Sequence, residues 1–223
     1  MSRSGVSTSG PRTPARPGPL RSPIVIVVVA ALKGGVGKTT TSVYLAGLAA
    51  ASRRPTTLVD ADPQASAADW LESADEEGFL GGVTLAEAPT ERLLTKALSV
   101  VEEEEVAIVD TPPGDERLMG RALELADVVV VPTRIGGVET ARVEAVLSMI
   151  PKRTPRGLVI SSARTYTRDY QEVVDWWTEQ GVPVWGSIPE RVGIASGPEA
   201  ELAWDGVEAY RGVWRRLLRA ARG

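Results

Sequence analysis

Three glycines, two lysines and two threonines stand within eight consecutive residues, 33–40, which read Lys-Gly-Gly-Val-Gly-Lys-Thr-Thr. They follow an apolar run, Ile24–Leu32, that has the character of a buried strand. A glycine-rich turn between a strand and a helix directs several backbone N–H groups toward one point, and these groups form a phosphate cradle with the helix N-terminus. The sequence therefore predicts a phosphate-binding loop at residues 33–40.

The residues inside this loop are of the types that nucleotide binding requires. Gly34, Gly35 and Gly37 permit backbone conformations and a close approach that a Cβ atom would prevent. Lys38 would place its ammonium group on the β- and γ-phosphates, and the Thr39 hydroxyl would ligate Mg²⁺. The expected ligands are thus a nucleoside triphosphate and Mg²⁺.

Carboxylates follow two later strands. Residues 56–62 form a short β-rich run that ends in Asp60 and Asp62. The carboxyl ends of strands in an open α/β sheet face the ligand crevice, so these carboxylates are expected near the γ-phosphate. The apolar run Val106–Asp110 also ends in a carboxylate, and Asp110 would hold Mg²⁺ as a Walker B aspartate does.

Short apolar runs alternate with helical segments from residue 23 onward. This alternation predicts an α/β fold, a mainly parallel twisted sheet with helices on both faces. The predicted strands are 24–31, 56–60, 83–87, 105–110, 127–132, 156–161 and 182–187. The predicted helices are 38–51, 64–75, 91–101, 115–126, 137–149, 169–180 and 203–221.

Taken together, the motifs resemble those of one family. Residues 33–40 resemble the deviant Walker A motif of the ParA/MinD ATPases, in which a lysine precedes the first glycine. Residues 60–64, Asp-Ala-Asp-Pro-Gln, look like the ParA-type segment, and 110–113, Asp-Thr-Pro-Pro, look like the switch segment. The resemblance covers roughly residues 24–200. It implies a P-loop NTPase fold of the deviant Walker A class and an ATPase that dimerises when it binds ATP.

The resemblance also implies roles for individual residues. Lys33 would reach across a nucleotide-sandwich dimer to the partner's phosphates, and the catalytic residues would be Lys33, Lys38 and Asp62. Asp62 would position or activate the attacking water. Mg²⁺ would be held or supported by Thr39, Asp60 and Asp110. ATP would contact Lys33, Gly34, Gly35, Val36, Gly37, Lys38, Thr39 and Thr40.

A loop near the carboxyl end of the chain resembles the family's adenine-contacting loop. Residues 188–195 follow the family pattern Ile-Pro-x-x-Val-x-x-Ala, which makes Pro189, Glu190 and Arg191 candidates for contacting the base. The family often has Asn-Arg after the preceding strand, where the asparagine meets the base. Residues 160–164 read Ile-Ser-Ser-Ala-Arg here, so the base contacts and the nucleotide preference stay open.

Composition excludes several classes of chemistry. The 223 residues include no cysteine and no histidine, which excludes disulfides, thiol nucleophiles, imidazole bases and the usual zinc sites. The lack of thiolates also argues against the iron–sulfur relatives of this ATPase group. Ile24–Leu32 is too short to span a membrane, and no signal-peptide cleavage pattern follows it. We expect a cytoplasmic, nucleoid-associated protein.

The amino-terminal segment differs in composition from the rest. Residues 1–22 are rich in serine, glycine, proline and arginine and contain almost no large apolar residue, so they are predicted to be a disordered tail. Residues 23–223 are enough for one core of ordinary size and are predicted to form a single ATPase domain. Because the net charge is −4, any DNA-binding surface must be a local patch or a surface built by dimerisation.

Arginines crowd the last predicted helix. Its apolar residues recur at helical spacing at Tyr210, Val213, Trp214, Leu217 and Leu218. The candidates for DNA contacts are Arg211, Arg215, Arg216 and Arg219, with Arg164 and Arg168 further upstream. Three interpretations stay open: the solvated face of a core-packed helix, a DNA-contacting face, and a membrane-surface helix of the MinD kind.

The leading functional hypothesis is a ParA-type partition or positioning ATPase. Such a switch would form a homodimer with ATP, bind DNA without sequence preference, and hydrolyse ATP slowly under stimulation by a ParB-like or other adaptor protein. Its cargo would be a plasmid, a chromosome or a protein assembly. The alternatives are a MinD-like membrane switch and a P-loop metabolic ligase, and of the possible partners a membrane is the least expected.

Overall fold

The computed structural model describes residues 25–74, 78–102, 104–190, 194 and 204–222. Within these ranges the chain forms seven strands and seven helices. The strands are β1 (Val25–Val29), β2 (Thr56–Asp60), β3 (Val83–Glu87), β4 (Val106–Asp110), β5 (Val128–Thr133), β6 (Arg156–Ala163) and β7 (Val184–Pro189). The helices are α1 (Lys38–Ala51), α2 (Ser66–Glu72), α3 (Glu91–Ser99), α4 (Glu116–Leu125), α5 (Gly137–Met149), α6 (Arg168–Glu179) and α7 (Trp204–Ala220).

All seven strands join one parallel sheet in the order β3-β2-β4-β1-β5-β6-β7. The fold class expected from the sequence is confirmed. Strands β1, β4 and β5 lie at the centre and are almost wholly buried, which accounts for their continuous apolar sequences. Strand β1 lies between β4 and β5, so the loop after β1 opens at the crevice between two neighbouring strand ends.

The two faces of the sheet carry separate apolar cores. Helices α1, α2 and α7 cover one face, where Tyr44 of α1 stacks on Tyr210 of α7 with ring centroids 4.9 Å apart. Helices α3, α4, α5 and α6 cover the other face, where Leu94, Leu123 and Trp177 are buried. Both faces are therefore covered, and the loops at the carboxyl ends of the strands are the part of the sheet open to a ligand.

Helix α2 begins later than the sequence suggested. A helix was expected from residue 64, but α2 starts at Ser66. The carboxylate of Asp60 accepts hydrogen bonds from the backbone amides of Ala67 and Ala68, and Ala65 takes a left-handed conformation with φ 54°. These contacts turn the chain into the helix only after residue 65.

The tail expected at residues 1–22 lies outside the described residues.

Gly157 on β6 provides a test of the packing beneath the sheet. A Cβ atom added there would overlap the indole ring of Trp185, so Gly157→Ala should lower the free energy of unfolding by about 1–3 kcal/mol. At Gly212 on α7 no atom lies within 4 Å of the added Cβ, and Gly212→Ala should instead raise stability by roughly 0.5–1 kcal/mol. Urea denaturation measures both changes. Equal effects at the two positions would contradict the packing described here.

Candidate nucleotide-binding site

The loop between β1 and α1 has the backbone of an anion cradle. Gly35 and Gly37 adopt left-handed conformations with φ 73° and 90°, which side chains other than glycine rarely tolerate. A Cβ atom at Gly37 would also lie 3.0 Å from the Ser161 hydroxyl oxygen. Gly37 is the N-cap of α1 and supplies no side chain to the first turn, so the amides there remain available to an anion.

Lys38 is a buried cation at the start of α1. Its side chain is only 7% exposed, and its Nζ donates a hydrogen bond of 3.1 Å to the carbonyl oxygen of Lys33. Burial lowers the pKa of Lys38, and the nearby carboxylates of Asp110 and Asp62 oppose that shift. A cation held in this way at the base of an anion cradle fits a phosphate group.

Asp110 is bound to the first turn of α1 by two hydroxyl groups. The Thr39 hydroxyl donates to one carboxylate oxygen at 2.7 Å, and the Ser42 hydroxyl donates to the other at 2.9 Å. Burial raises the pKa of Asp110 to about 7, and the two hydrogen bonds act in the opposite direction. Ser42 was not singled out from the sequence, although its place four residues after Lys38 puts it on the same side of the helix.

Thr39 and Asp110 supply the kind of oxygen ligands that Mg²⁺ prefers. Among the described residues no group of three or more aspartate, glutamate, histidine or cysteine side chains could hold a metal ion. A Mg²⁺ ion at Thr39 and Asp110 would therefore take its other ligands from phosphate oxygens and water. The donor set fits a nucleotide-bound Mg²⁺.

Asp60 serves the backbone of its own loop. One of its carboxylate oxygens accepts from the amide of Asp62 at 3.0 Å, and the other accepts from Ala67 and Ala68 at 2.9 and 3.0 Å. The residue is 1% exposed. These contacts favour a structural role over the support of Mg²⁺ that the sequence suggested. By fixing the loop, Asp60 positions Asp62 at the edge of the cleft.

The loop after β1 and Asp62 line one cleft of about 510 Å³ at the carboxyl ends of the strands, whereas Asp60 and Asp110 are buried and are not among its lining residues. Gly34, Gly35, Gly37, Lys38, Thr39, Thr40, Asp62, Pro189 and Glu190 were expected from the sequence and lie on it. Val36 does not, since its buried side chain lies beside Lys33 and Val131 on the other side of the loop. Arg191 lies outside the described residues. Lining residues not assigned from the sequence include Gln64, Arg134, Ser161, Ser162 and Tyr210.

Lys33 is directed away from this cleft. Its Nζ donates to the Glu139 carboxylate on α5 at 2.7 Å, and Arg142 donates to the same oxygen at 2.9 Å. The hydrogen bond from Lys33 lowers the pKa of Glu139. Lys33 and Lys38 therefore belong to different surroundings although only five positions separate them.

The candidate DNA-binding arginines differ in their surroundings. Arg164 forms a 3.0 Å ion pair with Glu190, and Arg211 forms a 2.9 Å ion pair with Glu208. The guanidinium group of Arg216 donates to the backbone carbonyl of Trp185, which ties it to β7. The remaining candidates, all exposed, are Arg168 at the start of α6 and Arg215 and Arg219 on α7.

The sequence family agrees with the geometry. The CobQ/CobB/MinD/ParA nucleotide-binding domain family matches residues 27–203, which is most of the chain and includes the whole cleft up to β7. The chain belongs to this family. Its members include ParA and MinD, the two names to which the resemblance of the motifs pointed.

Individual relatives of this nucleotide-binding domain carry partition and distribution names. The maintenance of carboxysome distribution protein A of Gloeobacter kilaueensis is 43% identical over 117 residues, which is 52% of each chain. The chromosome-partitioning ATPase Soj of Thermus thermophilus is 29% identical over 218 residues, covering 80% of this chain and 86% of Soj. Apart from that longer match, the chain spans about half the length of the first curated relatives it matches.

A solved structure shares the fold across nearly the whole chain. The plasmid partition protein of Borrelia burgdorferi, determined with bound AMPPNP, superimposes with a TM-score of 0.71 at 19% sequence identity. The superposition covers 89% of this chain and 99% of that protein. At this identity the likeness establishes the fold.

No helix within the described ranges combines the length and apolar character needed to cross a bilayer.

Replacing Ser42 by alanine tests the arrangement around Asp110. Removing one of the two hydroxyl donors should disorder the carboxylate and raise the Mg²⁺ concentration needed for tight nucleotide binding by about tenfold or more, as for other partners of metal ligands. Binding of a fluorescent ATP analogue, titrated with Mg²⁺, measures the shift. Ser52→Ala is the matched control, because Ser52 also bonds a carbonyl four residues back but lies at the other end of α1. An unchanged Mg²⁺ requirement in Ser42→Ala would contradict this role.

Proposed function

We propose that this chain is an ATP-driven, dimerising switch of the ParA type that binds DNA without sequence preference and partitions or positions a cargo. The observation that carries the proposal is the arrangement of its two loop lysines. Lys38 is buried at the phosphate cradle, whereas Lys33 leaves its own cleft and lies at the surface of the same loop. This separation of the two cations is what a lysine that acts on a partner's nucleotide requires.

The cleft provides the groups for slow ATP hydrolysis. The loop amides and Lys38 would hold the phosphates, and Thr39 and Asp110 would hold Mg²⁺. When bound, Mg²⁺ neutralises charge that builds up on the phosphoryl group. Asp62 lies at the cleft, and one of its carboxylate oxygens accepts a hydrogen bond of 2.9 Å from the backbone amide of Gln64. The other oxygen is left to orient a water molecule. These are positioning and electrostatic contributions to phosphoryl transfer.

Dimerisation would release Lys33 from Glu139. Lys33 is about half exposed, whereas Glu139 is largely buried but has Arg142 as a second partner, so Lys33 can exchange the carboxylate for a partner's phosphates without leaving Glu139 unpaired. Each subunit would then add a second lysine to the other's nucleotide. Because the added charge acts only in the dimer, hydrolysis depends on assembly.

The surface for DNA would be the exposed face of α7. Arg215 and Arg219 are one helical turn apart and exposed, so both can reach phosphates from the same side. Arg216 is tied to β7, and Arg164 and Arg211 have carboxylate partners, which makes them weaker candidates than the sequence suggested. Two copies of the pair in a dimer would bind more tightly than one.

The names of the relatives support a role in partition or positioning. They include a carboxysome distribution protein, a protein named ParA, chromosome-partitioning ParA proteins and Soj. By analogy a partner adaptor of the ParB kind would stimulate hydrolysis and release the dimer from DNA. A location on the nucleoid in the cytoplasm follows from the same analogy.

The structure weakens the alternative of a MinD-like membrane helix at α7. Of the five apolar side chains that would enter a lipid surface, Tyr210, Val213, Trp214 and Leu217 are at most 5% exposed, and Leu218 is partly buried against the same core. They pack against α1 and the sheet, so insertion into lipid would open the core of that face. The arginines that remain outside suit a polyanion better than an apolar surface.

Replacing Lys33 by alanine should separate nucleotide binding from assembly. The variant should bind ATP as a monomer, because Lys33 lies outside its own cleft, but it should lose the ATP-dependent dimer. Light scattering after size-exclusion chromatography with ATP and Mg²⁺ measures the assembly. Lys96→Ala, which removes an exposed lysine of α3, should dimerise normally. A Lys33→Ala dimer of wild-type strength would show that Lys33 is an ordinary loop charge.

Reversing the charges of Arg215 and Arg219 together should weaken binding to all DNA sequences alike. Log affinity should fall linearly with log salt, and the slope should become shallower by about 0.9 for each DNA phosphate that the variant no longer neutralises. Co-sedimentation with random-sequence DNA across a salt series, with ATP, with ADP and without nucleotide, measures this.

The control for this charge reversal is Arg92→Glu with Lys96→Glu, which has the same spacing on α3 across the sheet. It should bind DNA as the wild type does. Equal binding in all three nucleotide states would contradict the switch, and binding of anionic vesicles in place of DNA would transfer the function to a membrane.

A further inference from the structure

Arg134 is a cation of the cleft to which the sequence assigned no contact with the nucleotide. Among the described residues that line the cleft, the positively charged ones are Lys38 and Arg134. The negatively charged ones are Asp62 and Glu190. Glu190 pairs with Arg164 at 3.0 Å, and Asp62 accepts a hydrogen bond from the backbone amide of Gln64. Both carboxylates are therefore engaged by groups other than Arg134.

The fold places Arg134 beside the phosphate loop. It directly follows β5, which pairs in parallel with β1, and the phosphate loop directly follows β1. The buried Thr133 hydroxyl donates to the Arg134 carbonyl at 3.2 Å and so fixes the backbone where the strand ends. The two strand ends are neighbours, about 5 Å apart, which is well within the reach of an arginine side chain.

The neighbouring cations at this edge are neutralised, while Arg134 is not. Within the described ranges its guanidinium group makes no hydrogen bond and no ion pair, and the side chain is exposed. Lys33 and Arg142 share the Glu139 carboxylate, and Arg164 holds Glu190. Arg134 therefore presents beside the phosphate cradle a guanidinium group that pairs with no carboxylate of the described residues.

We propose that Arg134 contacts the phosphate chain of the nucleotide bound in its own subunit. The planar guanidinium group can donate two parallel hydrogen bonds to phosphate oxygens, which a lysine cannot do. Arg134 thereby supplies the second positive charge in the same subunit, before the partner's Lys33 arrives. This inference rests on the proposed nucleotide binding, and it adds a phosphate-binding residue that belongs to the β5–α5 loop.

The test compares nucleotide affinities of Arg134 variants. Fluorescent ADP and ATP analogues are titrated into the wild type, Arg134→Gln, Arg134→Lys and Arg153→Gln at several salt concentrations. Arg134→Gln should weaken binding of both nucleotides by about tenfold or more, as for other hydrogen bonds to charged groups. Arg134→Lys should recover part of the affinity and the salt dependence, because lysine keeps the positive charge. It should not recover all of the affinity, because lysine cannot donate two parallel hydrogen bonds. Arg153 is an exposed arginine near the opposite ends of the strands, and its variant should match the wild type.

The outcomes separate this inference from the proposed function. If the wild type binds neither nucleotide, the proposed function fails. If the wild type binds and Arg134→Gln binds equally well, Arg134 is not a phosphate ligand and only this inference fails. If Arg134→Gln binds both nucleotides normally but no longer forms the ATP dimer, Arg134 makes a contact between subunits. That result would also overturn the proposed contact with the phosphates. Thermal melting shows that each variant is folded.

Discussion

The buried carboxylate of Asp110 joins the sheet to the phosphate-binding helix. It ends the central strand β4, and it accepts the hydroxyl hydrogen bonds of Thr39 and Ser42 from the first turn of α1. An aspartate this deep in an apolar environment is destabilising unless donors or cations surround it. Here two hydroxyls and the ammonium group of Lys38 supply that compensation, and the same groups are the ones that a magnesium nucleotide needs. The stability of the core and the readiness of the cleft thus depend on one set of contacts.

A second set of contacts links the cleft to α7, the helix that carries the exposed Arg215 and Arg219. Thr41 of α1 shares a hydrogen bond of 2.9 Å with the hydroxyl of Tyr210, and Tyr210 lines the cleft while it stacks on Tyr44. Tyr210 is wholly buried, and burial raises its pKa above the usual range of a tyrosine. Tyr210 thus joins the cleft, α1 and α7 through aromatic stacking and one hydrogen bond. The helix that carries Arg215 and Arg219 is packed directly against α1, the helix that begins at the anion cradle.

The sequence was most informative where chemistry is local. The glycines of residues 33–40 and the strand-end position of Asp110 could be read directly, because backbone conformation and strand termination are properties of neighbouring residues. The pairing of Lys33 with Glu139 could not, since 106 positions separate the two residues and only the adjacency of β1 and β5 brings them together. Asp60 was expected to support Mg²⁺, yet the turn into α2 uses its carboxylate for backbone amides. Arg134 was assigned no contact from the sequence, and its relevance depends on the order of strands in the sheet.

The position of β1 also has a consequence for how the chain is made. Strand β1 leaves the ribosome well before the strands it pairs with, β4 and β5. Val27 can pair with Ile108 on one side and Val128 on the other only after those residues have been synthesised. Until residue 133 has been synthesised, this valine-rich strand lacks at least one of its two neighbours. Such long-range parallel pairing is slow, and the waiting segment is prone to aggregate. The same central position that secures the phosphate loop in the finished protein makes its supporting strand a vulnerable part of the nascent one.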